Sequence, residues 1–358
     1  MSQPEAAVAG APEAGAQFLS EIREQPEALR RLVSESDTYA RVAERARGRD
    51  LIRIVGHGSS DNAAAYGVYA LGLLPAITAL RDSISLTVYY DAKLDLTGSV
   101  VLALSQSGRT PDVLEYVVRA RRAGALTIAV TNDPESDLAR EAEALLPLTA
   151  GPERAVAATK TYLNQLAALA LLAGHLAGRG EELADGLSEV ADLLQRHLPL
   201  LERAVASIAV PFASVGRMFV IGRGPEFATA REIALKLLET CQIAAEPLTA
   251  TDLAHGPVAA LDPLFPVWAV ASEDQTLDTV VEATARARAA GAAVIASGTA
   301  AHALADAQYV IPVPRPHEPL LAPLLSVVPG QLFAGAVARA KGLDPDRPRG
   351  LSKVTLAP

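Results

Sequence analysis

The sequence predicts an α/β fold built twice, each half a mostly parallel sheet of five strands flanked by helices. Three observations lead there. Short apolar runs alternate with amphipathic or Ala-rich stretches over the first 150 residues. Landmarks of that region recur later in the same order. The 358 residues are 50% hydrophobic yet only 4% aromatic, so the interior must be Ala, Leu and Val, which suits helices layered on a sheet.

Taken in order, residues 1–16 are mostly Ala, Glu, Gly and Pro and read as a frayed tail. Residues 18–32 read as an amphipathic helix that Pro26 kinks or restarts. Residues 51–55 form a strand entering Gly56-His57-Gly58-Ser59-Ser60, followed by an Ala-rich helix at 61–74. Residues 85–90, 99–104, 126–130 and 144–148 read as the other strands. Pro111 opens a helix that stops at Gly124. A long apolar helix runs to about residue 176, and Gly178-Arg179-Gly180 breaks it. Residues 182–205 alternate charges with Leu at helical spacing, which reads as a solvated interdomain connector. Residues 218–221 open the second half, and Trp268, within 267–271, reads as core.

The duplication rests on offsets. Gly56-His57-Gly58 recurs as Gly222-Arg223-Gly224, an offset of 166. Arg119-Ala120-Arg121-Arg122-Ala123-Gly124-Ala125 recurs as Arg286-Ala287-Arg288-Ala289-Ala290-Gly291-Ala292, an offset of 167. Ser105 faces Ser272 at that same offset of 167. The expected divisions are a tail and helix at 1–45, a phosphate-binding half at 46–178, the connector at 179–207, a catalytic half at 208–340 and a tail at 341–358.

Ser105-Gln106-Ser107-Gly108-Arg109-Thr110 lies between a buried strand and a helix N-terminus. The first backbone N–H groups of a helix lack helical partners, and its dipole favours negative charge there. Three hydroxyls and an amide add donors, so the segment suits a phosphate; an ordinary Ser/Thr cap is the other reading. Gly58, Ser59 and Ser60 permit a close backbone approach to a ligand or a second anion contact. The repeat of the hydroxyl loop carries Glu273 and Asp274, which would repel an anion.

In the second half, Glu232, Lys236 and Glu239 fall at i, i+4 and i+7, within about 60° on one helix face. Two carboxylates beside an amine can move protons in a partly dry site, or form a solvated Glu–Lys–Glu ladder. His255, in a loop before Gly256-Pro257, is an acid/base candidate or a surface side chain. His57 reads as a site-edge residue at best, and Lys353 alone reads as a solvated tail lysine.

The formal charge of −9 argues against nonspecific nucleic-acid binding. Cys241 is the single cysteine, so an internal disulfide and a Cys-rich metal site are excluded. Apolar runs such as 163–176 are interrupted by Asn164, Gln165, Gly174 and His175, and no basic-then-apolar leader is seen. The expectation is a soluble cytoplasmic protein without a membrane span.

Together these motifs resemble the sugar isomerase (SIS) domain family. They look most like the isomerase half of glutamine–fructose-6-phosphate aminotransferase and stand-alone SIS-type glucosamine-6-phosphate deaminases. The likeness rests on Ser105 to Thr110, on Glu153 with Val156-Ala157-Ala158-Thr159-Lys160, and on Glu232, Lys236 and Glu239. It rests also on His255-Gly256-Pro257 and on Asp346, Pro348, Arg349, Leu351 and Lys353. It implies two tandem SIS domains of flavodoxin-like, three-layer architecture. Gly58, Ser59, Ser60, Ser105, Gln106, Ser107, Thr110, Val156, Ala157 and Ala158 would hold a sugar phosphate. Glu239 would carry a proton between C1 and C2, assisted by Lys236 and Glu232. His255 would open the ring from the partner subunit of a homodimer, and Lys353 would meet the open-chain carbonyl.

No metal or organic cofactor is implied. The aminotransferase pattern has Ser where this chain has Ala158, a departure that leans toward the deaminase-like relatives. With Met1-Ser2 at the start and only Cys241, glutamine-dependent transfer by this chain alone is not expected. The expected reaction is glucosamine 6-phosphate to fructose 6-phosphate and ammonia. The alternatives are a deglycase or isomerase of another phosphosugar amine, or the isomerase subunit of a synthase lacking its glutaminase. A non-catalytic sugar-phosphate sensor ranks lower, since no basic helix-turn-helix unit lies in residues 1–45.

Overall fold

The computed structural model describes residues 13–304 and 306–353, so most of the expected N-terminal tail lies outside it. Three helices come first: α1 (Ala16–Arg23), α2 (Gln25–Val33) and α3 (Ser36–Ala46). Pro26 stands in the first turn of α2, where its missing N–H has no helical partner to lose. The first half then runs β1 (Leu51–Val55), α4 (Ser59–Leu73), β2 (Thr78–Arg81), α5 (Ile84–Val88), β3 (Ser99–Leu104) and α6 (Pro111–Arg122). It closes with β4 (Leu126–Thr131), α7 (Asp137–Glu141), β5 (Ala144–Pro147) and α8 (Lys160–Leu176). A 30-residue helix, α9 (Gly180–Ala209), leads to the second half. That half runs β6 (Arg217–Gly222), α10 (Glu226–Cys241), β7 (Ala244–Thr249), β8 (Val267–Val270), α11 (Leu277–Ala289), β9 (Val294–Gly298), β10 (Tyr309–Pro312) and α12 (Ala322–Ala340).

Both sheets are parallel throughout and share one strand order: β2-β1-β3-β4-β5 and, read from the same edge, β7-β6-β8-β9-β10. Five-stranded parallel sheets in duplicate bear out the α/β expectation. Central strands β3 and β4 are buried at every position, as their continuous apolar sequences require.

Three sequence-based expectations are corrected. Residues 85–90 are not a strand; helix α5 occupies the segment and β2 lies earlier. Strand alternation there would bury Leu86, which is 42% exposed, whereas Ile84 and Thr87, three apart, are buried. Ser83 caps this turn by accepting from the Leu86 N–H. Helix α9 is more than a connector. Leu183, Leu187, Val190, Leu194, Leu198, Leu201 and Val205 are buried, and the helix packs on α2, α8 and α12. Finally, one apolar segment, Pro319–Ala340, is long and apolar enough to cross a membrane by length and composition, yet nearly all of it is buried inside the protein.

The two halves share one hydrophobic core, reaching from Phe18 and Ile54 through α8 and α9 to Trp268 and Phe333. Trp268 is core as expected: its Nε1 donates to Ser297 Oγ at 2.7 Å and its ring meets Phe333 edge-on at 4.9 Å. Helix α10 packs against both α12 and α4, so the second half's catalytic-candidate helix lies against the first half's leading helix.

Candidate active site

In a parallel sheet, every strand's C-terminal end and the following helix N-terminus lie on one edge. That rule gathers the loops after β1 and β3. They border a cavity of about 440 Å³ that also touches α10 and the C-terminal segment. Gly58, Ser59 and Ser60 line it from the start of α4; Ser105, Gln106, Ser107 and Thr110 line it from the start of α6. Two helix N-termini therefore face one space, each adding positive potential. Gly58 takes φ +56 and Gly108 takes φ +63, conformations that favour glycine. The loop is pinned from within. Ser105 Oγ accepts from the Gly108 N–H at 3.1 Å and pairs with Thr110 Oγ1 at 3.0 Å. Ser60 Oγ accepts from Gln165 Nε2 at 2.9 Å.

Lys236, Glu239 and Lys353 form another part of the wall. Lys236 Nζ lies 2.6 Å from Glu239 Oε2, 3.4 Å from Glu232 Oε1 and 3.2 Å from Ser59 Oγ. Glu232 is fully buried behind it, accepting from Ser59 Oγ at 2.9 Å and Asn62 Nδ2 at 2.8 Å. The solvated-ladder alternative thus fails for this pair: α4 covers the face that spacing alone left open. Burial raises the Glu232 pKa, with Lys236 opposing it. Burial alone would lower the Lys236 pKa, but the Glu232 and Glu239 carboxylates outweigh it and hold the ammonium above its ordinary value. Glu239 remains partly open to the cavity, with a side-chain exposure of 22%.

Lys353 reaches the cavity because a buried carboxylate receives it. Its Nζ donates to Glu153 Oε2 and to the Ala155 carbonyl, each at 2.7 Å. Glu153 also accepts from the Thr159 and Thr161 N–H groups and the Thr161 hydroxyl. Burial pushes its pKa up, and Lys353 with these donors more than reverses that, leaving it below the ordinary value. The segment ahead of Lys353 is anchored too, with the Asp346 carbonyl accepting from the Val156 N–H at 3.1 Å.

Of the sequence candidates, the cavity gathers all but three. Val156 and Ala158 line it, while Ala157 between them is buried in the shared core. Glu232 stands one layer behind. His255 is exposed on a short 3₁₀ turn, Asp252–His255, and is not part of this wall. His57 is at the rim, its Nε2 2.7 Å from Asp112 Oδ2. Sequence reasoning missed Asn62, one turn on from Ser59, and gave Glu153 no role of its own. The partner that gives each its place at the site lies far away in the chain: Glu232 for Asn62 and Lys353 for Glu153. Among the described residues, no group of three or more His, Cys, Asp or Glu is placed to hold a metal ion.

The SIS domain model matches residues 47–174 and 212–339. The chain belongs to the SIS domain family. Glutamine–fructose-6-phosphate aminotransferase [isomerizing] from Thermus thermophilus is 39% identical over 353 residues, covering 94% of this chain and 58% of that protein. The SIS chain therefore spans less than two thirds of that relative's length. Among solved structures, the C-terminal domain of glucosamine-fructose-6-phosphate aminotransferase from Francisella tularensis matches with TM-score 0.85 and 28% identity, covering 94% of this chain and 99% of that one. Glucosamine-6-phosphate deaminase from Thermotoga maritima matches with TM-score 0.78 over 96% of this chain and 100% of that one; at 21% identity that likeness concerns the fold alone.

Proposed function

We propose that this SIS protein is a phosphosugar isomerase acting on amino sugar phosphates, converting glucosamine 6-phosphate and water to fructose 6-phosphate and ammonia. The observation that carries the reading is the single cavity joining the hydroxyl loop of one half to the Lys236–Glu239 pair of the other. Ser60, Ser105, Gln106, Ser107 and Thr110 would anchor the phosphate, which positions the rest of the sugar. With the chain open, Glu239 would take the C2 proton and return it at C1, passing through an enaminol to the fructose imine. Water would then add at C2 and ammonia leave. Lys236, held as an ammonium by two carboxylates, would stabilise charge developing on the sugar oxygen. Lys353 would meet the open-chain carbonyl. Ring opening needs another acid/base group, and His255 of the partner subunit in a homodimer would supply it.

The test follows ammonia and fructose 6-phosphate together from glucosamine 6-phosphate. Equal release of both, absent in Glu239→Gln while glucosamine 6-phosphate binding persists, supports the reading. Normal binding with no product from the unsubstituted protein overturns it. The 39% identity to a full aminotransferase favours a second reading, the isomerase half of a synthase. That reading requires net formation of glucosamine 6-phosphate from fructose 6-phosphate when ammonia is supplied. A monomer in solution would refute the shared-site arrangement.

A further inference from the structure

The duplication raises the question of what became of the second half's anion cradle. The two sheets share one strand order, so the loops after β6 and β8 stand where those after β1 and β3 stand in the first half. By the offset of 166, Glu226 occupies the place of Ser60, each in the first turn of the helix after its half's opening strand. Ser272 occupies the place of Ser105. In the first half this corner opens into the cavity. In the second it is closed. Glu226 is 2% exposed, and its Oε1 accepts from the Ser272 hydroxyl and, at 2.7 Å, from Ser326 Oγ on α12. Burial raises the Glu226 pKa, opposed by the Ser272 and Ser326 hydroxyls, and its Oε2 has no hydrogen-bond partner among the described residues.

A second carboxylate holds the residue just ahead of the neighbouring helix. Asp274 Oδ1 accepts from the Thr276 N–H at 2.7 Å and from the Thr276 hydroxyl at 2.6 Å, just ahead of α11. Glu273 is turned outward to Arg315. Carboxylates thus stand in the second half where hydroxyls line the cavity in the first: Glu226 for Ser60 and Asp274 for Ser107.

We infer that the second half retains the anion cradle but fills it with the chain's own Glu226, so each chain holds one phosphosugar site and the second corner is a self-liganded, structural copy. The inference rests on the proposed phosphate site of the first half for its stoichiometry, and on the Glu226 contacts alone for the filling. It accounts for the division of labour: a closed second cradle leaves α10 free to turn its Lys236–Glu239 face to the first half's ligand.

Two measurements on the full chain test it. Calorimetry with glucosamine 6-phosphate should give one equivalent per chain; two equivalents would overturn the inference. Glu226→Ala should melt lower than the unsubstituted protein, and sodium formate, a free carboxylate small enough for the vacated space, should recover much of that loss. The same formate, matched against sodium chloride, should leave the unsubstituted protein's melting temperature unchanged. Equal formate responses in both proteins would overturn the filling. If Glu226→Ala does not fold, Glu226→Ser, which restores the first-half residue, carries the same comparison. Absence of any glucosamine 6-phosphate binding would sink the functional proposal while leaving the formate comparison to decide the filling by itself.

Discussion

Replacing Lys236 with Met should separate a buried charge cluster from a surface ladder. Lys236 is 1% exposed and Glu232 fully buried, so Lys236→Met leaves an uncompensated carboxylate inside the protein. Removing one partner of a buried pair costs about 3–5 kcal/mol, whereas exposed pairs are worth about 1 kcal/mol or less. Glu232 keeps its donors Ser59 and Asn62, which places the expected loss near the lower end, about 3 kcal/mol. That is roughly a hundredfold in the folding equilibrium, readable by urea unfolding at neutral pH with an unchanged slope.

The pH dependence has a definite sign. A carboxyl whose folded pKa is raised contributes its stability below the ordinary value of 4.5 and loses it as pH climbs through the folded value. Lys236, raised as well, stays charged across this range. Without its ammonium, Glu232 is pushed further up, so the variant's deficit should shrink as pH falls from neutral toward 4.5. Adding Glu232→Gln should recover part of the loss at neutral pH. A deficit below about 1 kcal/mol, the range of exposed pairs, or one that widens in acid, would refute the reasoning.

Two further outcomes follow from the same geometry. Gly108→Ala should weaken glucosamine 6-phosphate binding by calorimetry and lower the melting temperature. Its φ of +63 disfavours a side chain, and a Cβ there would run into Ser136. Lys353→Ala should leave Glu153 buried without its cation. Because the Glu153 pKa lies below the ordinary value, its stability contribution is present above pH 4.5 and fades as pH falls through the folded value. The variant should therefore be destabilised at neutral pH, converge with the unsubstituted protein in acid, and lose its C-terminal segment faster to limited proteolysis.

The amino-acid sequence by itself determined the repeated strand–helix alternation, because continuous apolar runs such as 99–104 and 126–130 suit a buried parallel strand. It determined the hydroxyl loop's place at a helix N-terminus, since Pro111 and Gly124 mark both ends of α6. Periodicity failed at residues 84–88, where five residues are too few to separate a helical turn from a strand edge.

Burial of a charged face was beyond reach, because it depends on what packs there and not on spacing. Only the tertiary structure laid α4 over Glu232 and Lys236 and drew Lys353 to Glu153 across 200 positions. Only it set Glu226 against Ser272 and Ser326. The physical reason is the same in each case. A carboxylate's chemistry is decided by its desolvation and its donors, and both come from residues distant in sequence.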